Sequence, residues 1–138
     1  MKLMVTGGCG FIGSNFLNLA FNHNFESILN IDSLTYAADE KNVNSENQSN
    51  YKFRKIDITN RDKLELEINS FKPDVIVHFA AESHVDNSIV DSYNFVNTNV
   101  MGTYNLIEIS REYIEKNNID NFHFIHISTD EVFGDLSN

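Results

Sequence analysis

The sequence predicts an α/β fold, a doubly wound parallel sheet in the strand order 3-2-1-4-5. Three observations carry this prediction. Apolar runs of strand length alternate with stretches of helical periodicity, the first run ends in a cluster of glycines, and an acid closes the second. Such alternation requires parallel strands joined by right-handed crossovers, because a helix returning to the same sheet packs well in that hand alone.

Lys2 to Thr6 is a short apolar run ending on Gly7, the first strand. Phe11, Ile12, Asn15, Phe16, Leu19 and Ala20 then recur at mostly helical spacing, which places a helix directly after the glycines. Residues 27–31 form a second buried strand ending at Asp32. Residues 33–50 are a polar, asparagine-rich connection expected to be only partly ordered. Alternation over residues 51–57 marks a third strand, and residues 62–71 form a polar-faced helix. Pro73 opens a fourth strand over residues 74–79. A long helix follows over residues 94–116, with apolar or aromatic positions at Phe95, Val96, Val100, Tyr104, Leu106, Ile107, Ile109 and Tyr113, and residues 122–128 supply the fifth strand.

A chain of 138 residues suits one domain, here residues 1–138, that buries roughly two thirds of its unfolded surface. No apolar run approaches the roughly 18 residues of a membrane span, so no membrane association is expected. The N-terminus enters a strand without the basic segment and cleavage site of a secretory signal, which predicts a cytoplasmic protein. Cys9 is the only cysteine, so no internal disulfide forms. Ten basic against twenty acidic residues give a formal charge of −10, which repels phosphate backbones and argues against nucleic acid as a partner. Any anionic ligand must be held locally, as backbone N–H groups at a helix start can do.

That is where the glycines lie. Gly7, Gly10 and Gly13 form G-x-x-G-x-x-G between a strand and a helix. Each has a mechanical reason to be glycine, in order a tight exit from the strand, close backbone approach to a pyrophosphate, and close helix–strand packing. Asp32 ends the next strand nineteen residues after Gly13, where its carboxylate can accept hydrogen bonds from a ribose diol. The context predicts a Rossmann-type dinucleotide site. NAD is favoured over NADP, since Asp32 repels a 2′-phosphate and Ser33 brings no compensating charge; Arg54 in the third strand is the cation that would weaken this preference. The plainer alternative is a glycine turn without a ligand and an acid that only solvates a strand end. Cys9 reads as a small residue filling the turn, although a helix N-terminus can lower a thiol pKa.

Three segments are more specific still: Asp32-Ser33-Leu34-Thr35-Tyr36-Ala37, His78-Phe79-Ala80-Ala81-Glu82-Ser83-His84-Val85-Asp86, and Ile127-Ser128-Thr129-Asp130-Glu131-Val132-Phe133-Gly134. Through them the chain resembles the extended short-chain dehydrogenase/reductase family, and within it the nucleotide-sugar 4,6-dehydratases, over nearly all of its length. The resemblance implies NAD as cofactor and a nucleotide-activated hexose as substrate. It places Phe11 and Ile12 at the pyrophosphate, Asp32, Ser33, Leu34 and Thr35 around the adenosine ribose, and Asp57 and Ile58 at the adenine. Phe79, Ala80, Ala81 and Ser83, with Thr98, would run beneath the ribose and nicotinamide, and Ser83 and Thr129 would also meet substrate. The chain departs from the family at Ser33, where Lys is frequent, at Asn87, where Arg is common, and at Phe133, where Tyr is common.

Asp130 and Glu131 follow the fifth strand at the carboxyl edge of the sheet, where doubly wound folds bind ligands. Removing water across two adjacent sugar carbons needs one group to take a C–H proton and another to protonate the leaving hydroxyl, chemistry that two carboxyls with separated pKa values suit. An exposed acidic turn capping a helix is the alternative for an arbitrary Asp-Glu pair. In the scheme implied by the resemblance, C4 is oxidised, Glu131 takes the C5 proton, Asp130 protonates the C6 hydroxyl, hydride returns to C6, and Thr129 hydrogen-bonds the C4 oxygen. Related epimerases share the glycine turn but usually lack the acidic pair.

His78 is expected to pack at the end of the fourth strand and His84 to cap a helix or loop; no metal site is expected, because no cluster has ligand spacing. The family's Tyr-x-x-x-Lys pair is represented only by Tyr51 and Lys55, in a strand, where that offset does not stack side chains. By resemblance that pair, the last strands and a substrate-binding domain would follow Asn138. The chain is therefore expected to bind NAD but to be inactive alone, and the complete enzyme to be a homodimer through the long helix, whose apolar residues would favour self-association. A non-catalytic NAD-binding or interaction module is the competing reading, and a related epimerase or decarboxylase a third, against which the acidic pair argues.

Overall fold

A computed structural model describes residues 1–83 and 92–134, excluding the side chains of Asp130 and Glu131. Its core is a five-stranded parallel sheet in the order β3-β2-β1-β4-β5, as expected. The strands are β1 (Lys2–Thr6), β2 (Ser27–Asp32), β3 (Tyr51–Lys55), β4 (Val75–His78) and β5 (His123–His126). Helices α1 (Phe11–Ala20) and α2 (Arg61–Phe71) follow β1 and β3. Between β4 and β5 run α3 (Ser92–Val96), a π-helical stretch (Asn97–Gly102) and α4 (Thr103–Asn117).

Alternating side chains divide the interior into two layers. On one side Leu3, Val5, Ile28, Val75 and Val77 pack against Leu17 and Ala20 of α1. On the other, Met4, Leu29, Ile31 and Ile76 meet Leu64 and Ile68 of α2 and Leu106, Ile109 and Tyr113 of α4. Strands β1, β2 and β4 are buried nearly throughout, which is why they read as continuous apolar runs. Asn60 caps α2, its Oδ1 accepting from Lys63 N at 3.1 Å, so that helix starts one residue earlier than its periodicity suggests.

Strands β4 and β5 start one residue later than expected, and β3, β4 and β5 end one or two residues earlier, where the chain, after one more ladder bond each from Ile56, Phe79 and Ile127, turns to line a cleft. The long helix also differs, starting at Ser92 and containing the π-helical stretch. Residues 33–50 are more ordered than expected. They hold a 3₁₀ turn (Glu40–Asn42), and asparagines tie them down: Asn42 Nδ2 donates to the Cys9 carbonyl at 3.0 Å, while Asn44 N donates to Asn18 Oδ1 at 2.8 Å.

His78 is fully buried, as expected, with Nδ1 2.6 Å from Thr6 Oγ1 and Nε2 2.9 Å from Thr103 Oγ1. A neutral imidazole satisfies both hydroxyls, donating from one nitrogen and accepting at the other. Burial, reinforced by the charge of His126 with its ring centroid 5.0 Å away, lowers its pKa from the ordinary 6.5 to about 4. Between those values the unfolded chain binds a proton that the folded chain refuses. The stability involved is complete above pH 6.5 and is lost as pH falls toward 4, by about 3 kcal/mol. Urea unfolding from pH 7 to 4 should therefore show a shallower acid loss in His78→Gln than in the parent; parallel profiles would refute this role.

Candidate functional site

The strand order reverses between β1 and β4, and the crevice beyond their carboxyl ends is where open α/β sheets bind ligands. A cleft of about 980 Å³ opens there, at the top of the roughly 300–1,000 Å³ range of small-molecule sites.

The glycine turn forms its floor. Gly7 leaves β1 at φ +73°, and a Cβ there would lie 2.5 Å from Ala80 N, so the backbone after β4 lies directly against it. At Gly13 a Cβ would strike the Gly7 carbonyl, which lets α1 start tight against the turn. Gly10 faces open space, its nearest neighbour at 3.5 Å being the Gly7 carbonyl, and it precedes α1 without a side-chain cap. The first amides of α1 are therefore left for an anion, with no acid in that turn to compete.

Asp32, only 6% exposed, does more than its position predicted. Its Oδ2 accepts from Cys9 N at 2.8 Å and its Oδ1 from Leu34 N at 2.8 Å. The carboxylate thereby joins the glycine turn to the loop after β2 and keeps further lone pairs for a diol. Beneath it Asn30 Nδ2 donates to Cys9 Sγ at 3.4 Å and to Tyr51 Oη at 3.0 Å. Burial and the neighbouring Asp32 push the Cys9 thiol up to about 12, so it fills the turn and is no nucleophile at neutral pH. Burial likewise pushes Tyr51 up to about 12, the wrong direction for a phenolate base.

Gly7, Gly10, Phe11, Ile12, Gly13, Asp32, Ser33, Thr35, Asp57, Ile58, Phe79, Ala80, Ala81, Ser83, Thr98 and Thr129 all line the cleft. Leu34 alone among the described candidates turns away, into the apolar layer under α1, leaving its backbone N–H on Asp32. The far wall is held by side chains: Asp57 Oδ1 accepts from Thr59 N at 2.8 Å, and Asn105 Nδ2 donates to the Ile58 and Thr59 carbonyls at 3.2 Å. Arg54 is not in the cleft; its Nε meets Glu67 Oε1 at 3.1 Å on the edge strand, so this cation does not weaken the preference set by Asp32.

Sequence reasoning assigned no role to Tyr36, Glu82, Phe95, Asn97 or Ser128, which also line the cleft. Tyr36, Glu82 and Ser128 stand inside the three specific segments and were reachable on that ground; Phe95 and Asn97 carry no local signal. After β5 the chain runs past Thr129 and leaves extended geometry in a 3₁₀ turn (Asp130–Phe133). The side chains of Asp130 and Glu131, and all of His84, Asp86 and Asn87, lie outside the described residues. Among the described residues no group of His, Cys, Asp and Glu is arranged to hold a metal ion, and no helix is long and apolar enough to cross a membrane.

Residues 4–138 match the family model described as GDP-mannose 4,6 dehydratase. The chain is 45% identical over 141 residues to dTDP-glucose 4,6-dehydratase of Haemophilus influenzae, covering 99% of this chain and 42% of that protein. The solved dTDP-glucose 4,6-dehydratase of Streptomyces venezuelae, with NAD bound, superposes with a TM-score of 0.85 at 38% identity, over all of this chain and 42% of that one. UDP-glucose 4-epimerase of Thermotoga maritima reaches a TM-score of 0.84 at 26% identity, over all of this chain and 41% of the other, so backbone likeness alone does not separate the two reactions. The chain thus spans about two fifths of the length of these relatives.

Proposed function

The chain belongs to the GDP-mannose 4,6 dehydratase family, and from that premise we propose that its protein dehydrates a nucleotide-activated hexose, dTDP-glucose to dTDP-4-keto-6-deoxyglucose, with NAD in the cleft. The observation that carries this reading is the convergence, in one cleft, of the glycine turn, Asp32, and the Thr129 end of the segment bearing the acidic pair.

The residues present fit the cofactor. Gly10 leaves open space beside the uncapped amides of α1 for a pyrophosphate, and Asp32 stands at the end of β2 for the ribose diol. Phe79, Ala80, Ala81, Ser83 and Thr98 offer a shallow, mostly apolar wall for the nicotinamide end. NAD bound there would take a hydride from C4 and return it to C6 once water has left, and the C4 carbonyl present in between would acidify the neighbouring C5 proton, which is given back to C5 at the end. Glu131 takes that proton, Asp130 protonates the departing C6 hydroxyl, and Thr129 holds the C4 oxygen. These three roles rest on the family motif and on the bend that starts at Asp130. The nucleotide is inferred from the names of the similar enzymes.

We also propose a homodimer. Tyr93, Val96, Val100, Met101, Tyr104 and Ile107 are exposed along α3, the π-helical stretch and α4, an apolar stripe suited to the same stripe of a second copy.

Thermal unfolding with titrated NAD tests the cofactor site. At one hundred times Kd, NAD should stabilise the folded chain by about 2.7 kcal/mol, a rise in Tm of roughly 10 °C for a domain of this size. NADP at the same concentration should give a much smaller rise, because Asp32 opposes the 2′-phosphate. No shift at millimolar NAD would sink the assignment.

A further inference from the structure

The helix behind the cleft is α-helical through α3 and again from Thr103, but π-helical over Asn97–Gly102. In an α-helix consecutive side chains diverge by about 100°, so sequence neighbours serve one face poorly. A π-helical turn takes in an extra residue and narrows that angle. Asn97, Thr98 and Asn99 are accordingly all partly covered on the inner side, while Val100 and Met101 are exposed.

Thr98 lines the cleft. Asn99 beside it grips the cleft wall: its Oδ1 accepts from Glu82 N at 2.8 Å and its Nδ2 donates to the Glu82 carbonyl at 2.9 Å. Both backbone groups of one residue are thus satisfied by a single side-chain amide, which presents a donor and an acceptor together; a carboxylate lacks the donor. Ala81 and Ser83 flank Glu82 in the wall, and Ala80 is the residue packed against Gly7. The other end of the stretch is pinned too. A Cβ at Gly102 would lie 2.5 Å from Ile58 Cδ1, and Asn105 holds the Ile58 and Thr59 carbonyls.

We propose that Asn99 is a positioning residue for cofactor binding, holding the 80–83 wall in place. The π-helical stretch is what allows Thr98 to face the cleft while Asn99 holds that wall. Asn99 reaches no reacting atom; it acts through the Glu82 backbone. The proposal rests on the NAD reading above, so its test has an arm that needs no NAD.

Asn99→Ala and Asn99→Asp should be compared with the parent by calorimetric NAD titration and, without NAD, by hydrogen exchange at the Glu82 amide. Losing both bonds should weaken NAD binding about tenfold and speed Glu82 exchange by a similar factor. Asn99→Asp keeps the bond from Glu82 N–H, so exchange should stay within about threefold of the parent while affinity falls less than in the alanine variant. A merely structural role would lower Tm yet leave the affinity of the folded protein unchanged. Parental affinity in either folded variant, or parental Glu82 exchange in Asn99→Ala, would overturn the proposal. Should Asn99→Ala fail to fold, the affinity of Asn99→Asp decides. If the parent itself binds no NAD, the cofactor reading fails, and Glu82 exchange alone decides whether Asn99 holds the wall.

Discussion

Gly7→Ala is expected to cost roughly 2–5 kcal/mol, a large share of the roughly 5–15 kcal/mol that holds a domain together. Two effects add. At φ +73° an L side chain costs about 1–2 kcal/mol. The new methyl would also lie 2.5 Å from Ala80 N, 2.6 Å from Ala80 Cα and 2.8 Å from the Phe79 carbonyl carbon, all of them backbone. That backbone cannot easily retreat, because Phe79 N donates to Thr6 O at 2.9 Å and continues the β1–β4 ladder. Overpacking of this kind typically adds about 1–3 kcal/mol. Gly10→Ala is the informative contrast: its nearest neighbour is 3.5 Å away and its φ of −73° suits any residue, so stability should stay near parental while NAD affinity falls. Denaturant unfolding of both variants checks the pair. A cost below about 1 kcal/mol at Gly7 would show that the 79–80 segment yields freely and that the close approach is not a constraint.

The second large effect belongs to the acidic pair. In a protein carrying this chain together with the rest of the length found in its relatives, Glu131→Gln should lower turnover of dTDP-glucose by about 10²–10⁴-fold, the usual contribution of a positioned general base. The amide preserves size and hydrogen bonding but cannot accept the C5 proton. NAD binding should be unchanged, because the groups proposed to hold NAD lie at the carboxyl ends of β1, β2, β3 and β4 and on the helix behind them. Exchange of the C5 proton with deuterated solvent should fall in parallel with turnover. Normal turnover in this variant would remove Glu131 from its role. Full C5 exchange with blocked product formation would move the defect to a later step.

Much of the cleft was legible along the chain. The glycine turn with Asp32, and the segments at 78–86 and 127–134, are short runs whose residue types have few other uses in that arrangement, and their described candidates line the cleft with the exception of Leu34. Leu34 escaped because a run of sequence does not say which member contributes a side chain and which only an N–H. The order of residues 33–50 escaped for a related reason. Asparagine has no periodicity to read, yet Asn18, Asn42 and Asn44 close that loop onto α1 and the glycine turn through pairings fixed only by the packed chain. Tyr51 and Lys55 form no catalytic pair, as their strand spacing implies: they lie in β3, and the phenol is a buried partner of Asn30.

By itself, then, the sequence determined the strand–helix alternation, the strand order and the glycine turn between β1 and α1. Each follows from spacing within a few residues and from chemistry that a side chain carries wherever it sits. Tertiary structure alone decided that Ala80 presses on Gly7, that Asp32 joins two loops, that Arg54 faces Glu67 rather than the cleft, and that Asn99 grips Glu82. These depend on strand register and on one non-α-helical turn, which bring together groups far apart along the chain, and no local pattern records such distances.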